Sequence, residues 1–378
     1  MNKTIKLAIS LNQDDIEYKD LCKELFEMQY LSAKASNRIM TFLYADKQQE
    51  FIMKDAGIDI PAPTELYGKS RMTYLYNKMA EIMTTSNSAN ISQARAFVEN
   101  QFSKDVKKGL LKGNCSLTNF RRDGAIYLHN KSYTLFETEK GLGVKISLFS
   151  KLHSKELGLK NGIITFSLPH INVGEKSILT RMMSKEYKQG SGSLTYNKHK
   201  KKWMLAMSYT FTPEECTGEN TLNVRLGEEV LLRLTAKKGE TELRMKPYDK
   251  VVPGLEELVA VRKKFMELRR TYGNATRIAS DNNCGKGYRK RADKLLKLQD
   301  KERRFRDTFN HKISRYIVDM AQRYDCGLIE LEDFSETENA AFGDWTYYDL
   351  QQKITYKAQE KGIEVMEVSS KKEEIEMA

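Results

Sequence analysis

The sequence predicts a mixed α and β protein: a small β-barrel with a helical block inserted behind its first strand, then an α/β domain in which helices and strands alternate. Three patterns predict it. Residues 4–11 alternate apolar Ile5, Leu7, Ile9 and Leu11, a half-buried strand followed at once by helical periodicity, so its partners must lie further on. Two hairpin patterns within residues 133–211 supply those partners. From Phe305 the chain reads helix, strand, helix, strand, with carboxylates at a strand tip, a layout used by nucleotide-handling α/β domains.

Taken in order, Asn12 or Asp14 is expected to cap the first helix, whose apolar side carries Leu21, Leu25, Met28 and Leu31. Pro61-Ala62-Pro63 breaks the helical block. Two further helices are expected at about residues 66–83 and 91–111, the second opened by Ser86-Asn87-Ser88. Residues 133–150 read as a hairpin turning at Glu139-Lys140-Gly141, residues 162–168 as a strand, and residues 191–211 as a second hairpin. Alternating strands joined by short turns predict the small barrel. Thr217 to Asn220 reads as a linker, followed by strands at about residues 222–226, 230–236 and 242–246. The helix from Phe305 buries Phe309, Ile313, Ile317 and Met320 on one face. Leu328, Ile329 and Leu331 form a buried strand ending in Glu332, Asp333 and Phe334. A helix over residues 345–361 and a strand with Ile363, Val365 and Val368 complete the pattern.

The 378 residues suffice for two or three domains, and 40% apolar with 30% charged residues is the composition of a soluble globular protein. No apolar run approaches the ~20 residues of a membrane span. Residues 1–6 lack a signal peptide's apolar segment, so the expected location is the cytoplasm, with no membrane partner. Cys22, Cys115, Cys216, Cys284 and Cys326 are scattered and support neither a disulfide framework nor a zinc site. His311 is expected to be packed or hydrogen-bonded rather than catalytic. The net charge of +12 is concentrated: residues 262–315 hold 18 Lys/Arg against 6 Asp/Glu, a surplus equal to that of the whole chain. That concentration points to a polyanion, with nucleic acid first.

Two stretches carry a family resemblance. Residues 305–334 (FRDTFNHKISRYIVDMAQRYDCGLIELEDF) and 345–358 (WTYYDLQQKITYKA) are similar to the RuvC segment of the miniature type V-F CRISPR effectors, compact RNA-guided DNA nucleases related to transposon-encoded TnpB. Residues 91–123, ending in Phe120-Arg121-Arg122-Asp123, resemble the same family at its helix-to-barrel junction. The resemblance covers most of residues 91–368 and is weaker before them. It implies a wedge β-barrel whose first strand is residues 1–12, an inserted helical recognition domain at 13–111, the rest of the wedge at 112–216, and an RNase H-like RuvC domain at 217–378.

In such a wedge, basic and aromatic side chains hold guide-RNA phosphates and stack exposed bases. Arg121, Arg122 and the hairpin tip of Lys198, Lys200, Lys201 and Lys202 are the candidates, each of which is otherwise an ordinary surface charge. Gly285 to Arg291 is expected to interrupt the basic helical region. It would be a surface turn, or a loop whose Lys286, Arg289, Lys290 and Arg291 bind a nucleic-acid backbone.

The family resemblance also assigns a nuclease site, and there the chain departs. The family uses three carboxylates to hold two metal ions: an Asp on the first strand, the Glu that falls on Glu332, and a late Asp beyond a zinc ribbon. The first motif aligns with Asn223-Val224-Arg225-Leu226-Gly227, so Arg225 stands where the Asp should be. The ribbon and the third carboxylate are expected to be missing, since the chain ends at Ala378. No catalytic metal is therefore expected, and Arg225 is expected to lie near Glu332 as its ion-pair partner. Glu228 or Glu229 is the weaker substitute for the missing Asp.

The expected function is that of a nuclease-dead protein of the bacterial cytoplasm and nucleoid. It would use a guide RNA to bind double-stranded DNA beside a short flanking motif, without cutting. It would regulate transcription by promoter occupancy or by recruiting a sigma factor and RNA polymerase. A homodimer on one guide RNA follows from the family. The alternatives are an active metal-dependent RNA-guided endonuclease with a rearranged acidic site, and a guide-RNA-binding protein without DNA targeting.

Overall fold

A computed structural model describes residues 1–138, 141–159, 162–198, 200–226, 230–281, 285–332 and 347–368; within 278–291 it describes backbone only. The chain divides into two compact units, Met1–Phe211 and Thr212–Ala378. Among the described residues no helix is long and apolar enough to cross a membrane.

The first unit contains β1 (Asn2–Leu11), α1 (Tyr18–Asp55), α2 (Pro63–Tyr67), α3 (Arg71–Ala80) and α4 (Ser88–Lys107). After these come β2 (Ile126–Leu128), β3 (Tyr133–Thr138), β4 (Gly141–Ser147), α5 (Lys151–Glu156), β5 (Ile163–Ser167), α6 (Val173–Met183), β6 (Lys188–Asn197) and β7 (Lys202–Thr210). The strands form one sheet in the order β2-β6-β7-β1-β5-β4-β3. The first strand is thus central. It pairs with β7 along Asn2 to Ile9 and with β5 at Ser10 and Leu11, and its alternation buries Ile5, Leu7 and Ile9 in a single core shared by the strands. The helices α1–α4 leave the sheet after β1 and return to it at β2.

The sheet is not a closed barrel, contrary to the sequence expectation. Its edge strands β2 and β3 are separated by a short 3₁₀ turn, Asn130–Ser132, and side chains take the place of a closing ladder. Gln189 Nε2 donates to the carbonyls of Asn130 (2.7 Å) and Tyr133 (2.9 Å), and the Tyr133 hydroxyl donates to the Gly190 carbonyl at 2.8 Å. Those bonds satisfy edge groups that a ladder would otherwise pair.

The helix α1 serves two cores. Leu21, Leu25 and Met28 pack on the sheet, while Ile39, Met40 and Leu43 pack with Leu75, Met79, Val98 and Phe102 of α3 and α4. It starts later than the capping residues predict. Asn12 N–H donates to the Thr165 carbonyl and Gln13 Oε1 accepts from Thr165 N–H, so this segment prolongs the pairing with β5. Glu17 becomes the N-cap, without a side-chain capping bond. Asn87 does cap α4, its side chain accepting from Asn90 N–H at 2.8 Å.

The second unit contains β8 (Asn220–Leu226), β9 (Leu232–Lys238), β10 (Thr241–Glu242), α7 (Leu255–Asp281), α8 (Gly285–Arg323), β11 (Cys326–Glu332), α9 (Tyr347–Glu360) and β12 (Glu364–Val368). Its sheet has the order β10-β9-β8-β11-β12. The first three strands are antiparallel, and β11 and β12 run parallel to β8. The expected strand at 242–246 shrinks to two residues because the Met245 side chain turns inward, its sulfur accepting from Ala236 N–H. Gly285 to Arg291 is not a turn: it is the opening of α8. The helices α8 and α9 are fastened by buried Lys353, whose ammonium donates to Asp349 (2.5 Å) and bridges to Asp307 (2.9 Å). Lys357 adds bonds to the His311 carbonyl and Ser314 hydroxyl, both at 2.7 Å. At the start of β11, a Cβ on Gly327 would lie 2.1 Å from the Gly218 carbonyl oxygen, so only glycine lets the two segments cross there.

Candidate functional site

In the second unit the candidate site is the tip shared by β8 and β11. Their parallel register pairs Asn223 with Glu330 and Val224 with Leu331. One step further along both strands sets Arg225 beside Glu332. Val224 and Leu331 point into the core, so strand alternation puts Arg225 and Glu332 together on the opposite face. Arg225 is exposed and Glu332 half-buried. The Glu332 carboxylate accepts from Leu226 N–H at 3.0 Å, which ties it to the end of β8. Glu228, Glu229 and Asp333 lie outside the described residues. Among the described residues no group of three His, Cys, Asp or Glu side chains is placed to hold a metal ion. His311 lies near the Tyr356 hydroxyl (3.3 Å); burial, with Lys357 and Lys353 beside it, holds its imidazole below the usual range.

The first unit carries a groove of about 1010 Å³ between the opening turns of α1 and the segment around Arg122, Asp123, Tyr196 and Lys198. The sequence builds it in three steps. Asn37 of α1 grips Phe120 reciprocally: its Nδ2 donates to the Phe120 carbonyl (3.0 Å) and its Oδ1 accepts from Phe120 N–H (2.7 Å). Gln29 donates to the Gly124 carbonyl. With both ends held, residues 121–123 present their side chains outward. The Arg122 guanidinium lies 4.6 Å over the Tyr30 ring, a cation–π contact that fixes its direction. Across the groove, Phe26 sits edge-on to Tyr196 (5.0 Å between centroids) and beside Trp203 (5.3 Å), yet stays 44% exposed.

Of the predicted basic residues, the structure brings Arg122 and Lys198 to this groove. Lys198 donates to Asp123 at 2.5 Å, and that ammonium holds the Asp123 carboxyl below its usual range. Both partners are exposed, so the pair adds little stability. Arg121 is exposed one residue away. Lys200, Lys201 and Lys202 are exposed on the β6–β7 tip, where Lys201 takes a left-handed conformation (φ 49°) and Lys200 N–H donates to Asn197 Oδ1. Side chains of Lys286, Arg289, Lys290 and Arg291 lie outside the described residues. Sequence reasoning missed Tyr18, Lys19, Lys23 and Phe26, which line the groove from α1. Their signal was present, since these basic and aromatic residues flank the apolar stripe of Leu21, Leu25 and Met28 without belonging to it. Burial, aided by Cys22, pushes the Tyr18 hydroxyl up to about 12.

No family model matches the chain. It is 28% identical over 361 residues to the CRISPR-associated endodeoxyribonuclease Cas12f1 of Sulfoacidibacillus thermotolerans, an alignment covering 94% of this chain and 83% of that one. It is 31% identical over 257 residues to the Cas12f1 of Syntrophomonas palmitatica, covering 65% of this chain and 50% of that one. Its fold matches the protein of a Cas12f1–sgRNA–target DNA complex with a TM-score of 0.71 at 15% identity, over 98% of this chain and 89% of the other.

Proposed function

The chain is a homologue of the miniature type V-F CRISPR effectors, and from that premise we propose that it is an RNA-guided DNA-binding protein that does not cut. In this reading the first unit is a wedge sheet carrying α1–α4 as its recognition insertion, and the second is a RuvC-type sheet. The order of the second sheet, with β8 central and β11 and β12 parallel to it, supports that assignment.

One observation carries the loss of cleavage: a guanidinium, Arg225, occupies the strand-tip position that the family resemblance gives to a metal-binding Asp. The described residues do not fit a pair of divalent cations. Such ions need converging carboxylates, whereas here a permanent positive charge adjoins Glu332. The chain therefore holds its target rather than hydrolysing it.

The guide would supply the sequence reading by base pairing, and the protein would grip RNA backbone and bases. The groove of Arg122, Lys198, Phe26 and Tyr196 supports such a grip, because it sets cations beside an exposed aromatic ring. Arg121 and the Lys200–Lys202 tip extend its positive surface, and Lys286, Arg289, Lys290 and Arg291 belong to the same proposal on the second unit. Exposed Phe51, Ile52 and Met72 on the helical block offer apolar surface to a second copy on one guide. Bound without cutting at a promoter, the complex regulates transcription, by blocking RNA polymerase or by holding it through a sigma factor.

Sequencing the RNA and DNA that co-purify with tagged protein from its host tests the reading. A discrete guide with matching, uncut DNA near promoters is the expected result. Broken ends at the matched sites would restore the relatives' nuclease activity to this chain, and a guide without matching DNA would leave an RNA-binding protein alone.

A further inference from the structure

Between β10 and α7, residues 243–251 read Leu-Arg-Met-Lys-Pro-Tyr-Asp-Lys-Val. Arg244, Lys246 and Lys250 stand exposed there, whereas the one carboxylate of the stretch, Asp249, is buried. Its middle is a single 3₁₀ turn, Pro247–Asp249, and side chains from the end of α8 brace it. The Asp249 carboxylate accepts from the Arg323 guanidinium at 2.8 Å and from the Tyr324 hydroxyl at 2.7 Å. The Tyr324 hydroxyl in turn accepts from Lys246 N–H at 3.2 Å, and the Tyr316 hydroxyl donates to the Tyr248 carbonyl at 3.1 Å. Proline fixes one backbone rotation at the first position of the turn. A loose loop would fold an apolar ring back onto the surface. This turn is held on both sides of Tyr248, and the ring stays 64% exposed. The Lys246 ammonium lies 5.7 Å from the ring centroid.

We propose that Tyr248 is a stacking platform for an unpaired base of a nucleic-acid strand, with Lys246 meeting a phosphate beside that base. Every base has a π face that a bare aromatic ring can stack on, and a neighbouring cation suits the backbone that carries it. Because the turn is braced before any ligand arrives, little ordering remains to oppose binding. The charge favours nucleic acid over a protein partner. Arginine, the cation that protein surfaces most often offer to a tyrosine ring, would meet Lys246 and its basic neighbours as like charges. The inference rests on the nucleic-acid part of the function proposed above and is independent of whether the chain cuts.

The test uses full-length protein and two fluorescent single strands of about 10 nucleotides, oligouridine RNA and oligothymidine DNA, with affinity measured across a salt series. Tyr248→Ala should weaken binding of at least one strand about tenfold while the slope of log affinity against log salt holds, since no phosphate contact is lost. Tyr248→Phe keeps the ring and should bind as the wild type does. Lys246→Gln should instead flatten the slope by about 0.7 unit. The melting temperature of the free protein should hold in Tyr248→Ala, because the ring it removes is exposed. Ultraviolet crosslinking of strands carrying 5-iodouracil should place an adduct on Tyr248, and the strand that forms it, RNA or DNA, identifies the source of the base. Tyr348 on α9, 74% exposed, is the control, and Tyr348→Ala should leave affinity unchanged. An equal loss there would make the effect one of exposed rings in general and overturn the platform. A falling melting temperature in Tyr248→Ala with unaltered affinity would make the ring structural and overturn it as well. If Tyr248→Ala matches a wild type that binds either strand, and the adducts lie elsewhere, the platform alone falls and the ring is left to a protein partner. If the wild type binds neither RNA nor DNA, the proposed function falls with it.

Discussion

At the scale of the residue, the proposed loss of cleavage turns on Arg225. It occupies the tip of the central strand, where a neighbouring parallel strand delivers Glu332 to the same face. Placing an aspartate there would put two carboxylates side by side, and among the described residues no third His, Cys, Asp or Glu side chain is placed to complete a metal site. Arg225→Asp is therefore expected to remain uncut-and-bound: guide-dependent DNA binding persists, and no product forms with Mg²⁺ over hours. A cleavage assay with purified protein, guide and labelled target reads this directly, and a single-mutant revival of cutting would show that the rest of the metal site had survived. Glu332→Ala is expected to cost about 1–3 kcal/mol of stability, since it strips the acceptor from a part-buried backbone N–H, whereas Glu332→Gln keeps an acceptor oxygen and should cost less.

At the scale of the element, α1 organises the first unit. One face seats it on the sheet, its second half builds the helical core, and Gln29 and Asn37 hold the segment that presents Arg121 and Arg122. Asn37→Ala removes no charge, yet it leaves the Phe120 N–H and carbonyl without their partner. It is expected to destabilise the unit by about 1–2 kcal/mol and to weaken guide-RNA binding severalfold, with the salt dependence of binding unchanged because no phosphate contact is lost. Arg122→Gln should instead lower that salt dependence. Gel-shift titration of both variants at several salt concentrations separates positioning from direct contact. Much of this was legible in the sequence, and the exceptions have physical causes. Alternation marked β1 and the hairpins because each strand has one wet face. The end of the sheet was not legible, because whether β2 and β3 close into a barrel depends on Gln189 and Tyr133, which lie far apart in sequence and bond across the edges. The opening of α8 was misread for a related reason: Gly285 and Gly287 look like breakers locally, yet they open a helix of 39 residues whose later turns pack on the sheet and outweigh glycine's preference. The groove was half legible. Its arginines stood out as a cluster, while Phe26 and Tyr18 were hidden among core residues on the same helix.

At the scale of the whole molecule, the chain carries separate cores in its two compact units. Unfolding should accordingly depart from a single two-state step, and calorimetry should resolve more than one transition. Paired variants make that a sharp expectation. Asn37→Ala acts on the first unit. Lys353→Ala acts on the second, where it removes the donor joining Asp349 and Asp307, and both carboxylates keep access to water, so the cost is about 1–2 kcal/mol. In units of this size each kcal/mol moves a midpoint by roughly 2–4 °C. Each variant should therefore lower one transition by a few degrees and leave the other in place. A guide RNA that grips both units should raise both transitions together and narrow the gap between them, because a ligand stabilises whatever folded surface it binds. If each variant shifts every transition equally in the absence of RNA, the units unfold as one body. If RNA raises a single transition, the backbone contacts reside in that unit alone, and either the groove of the first unit or the basic helices of the second lose their assignment.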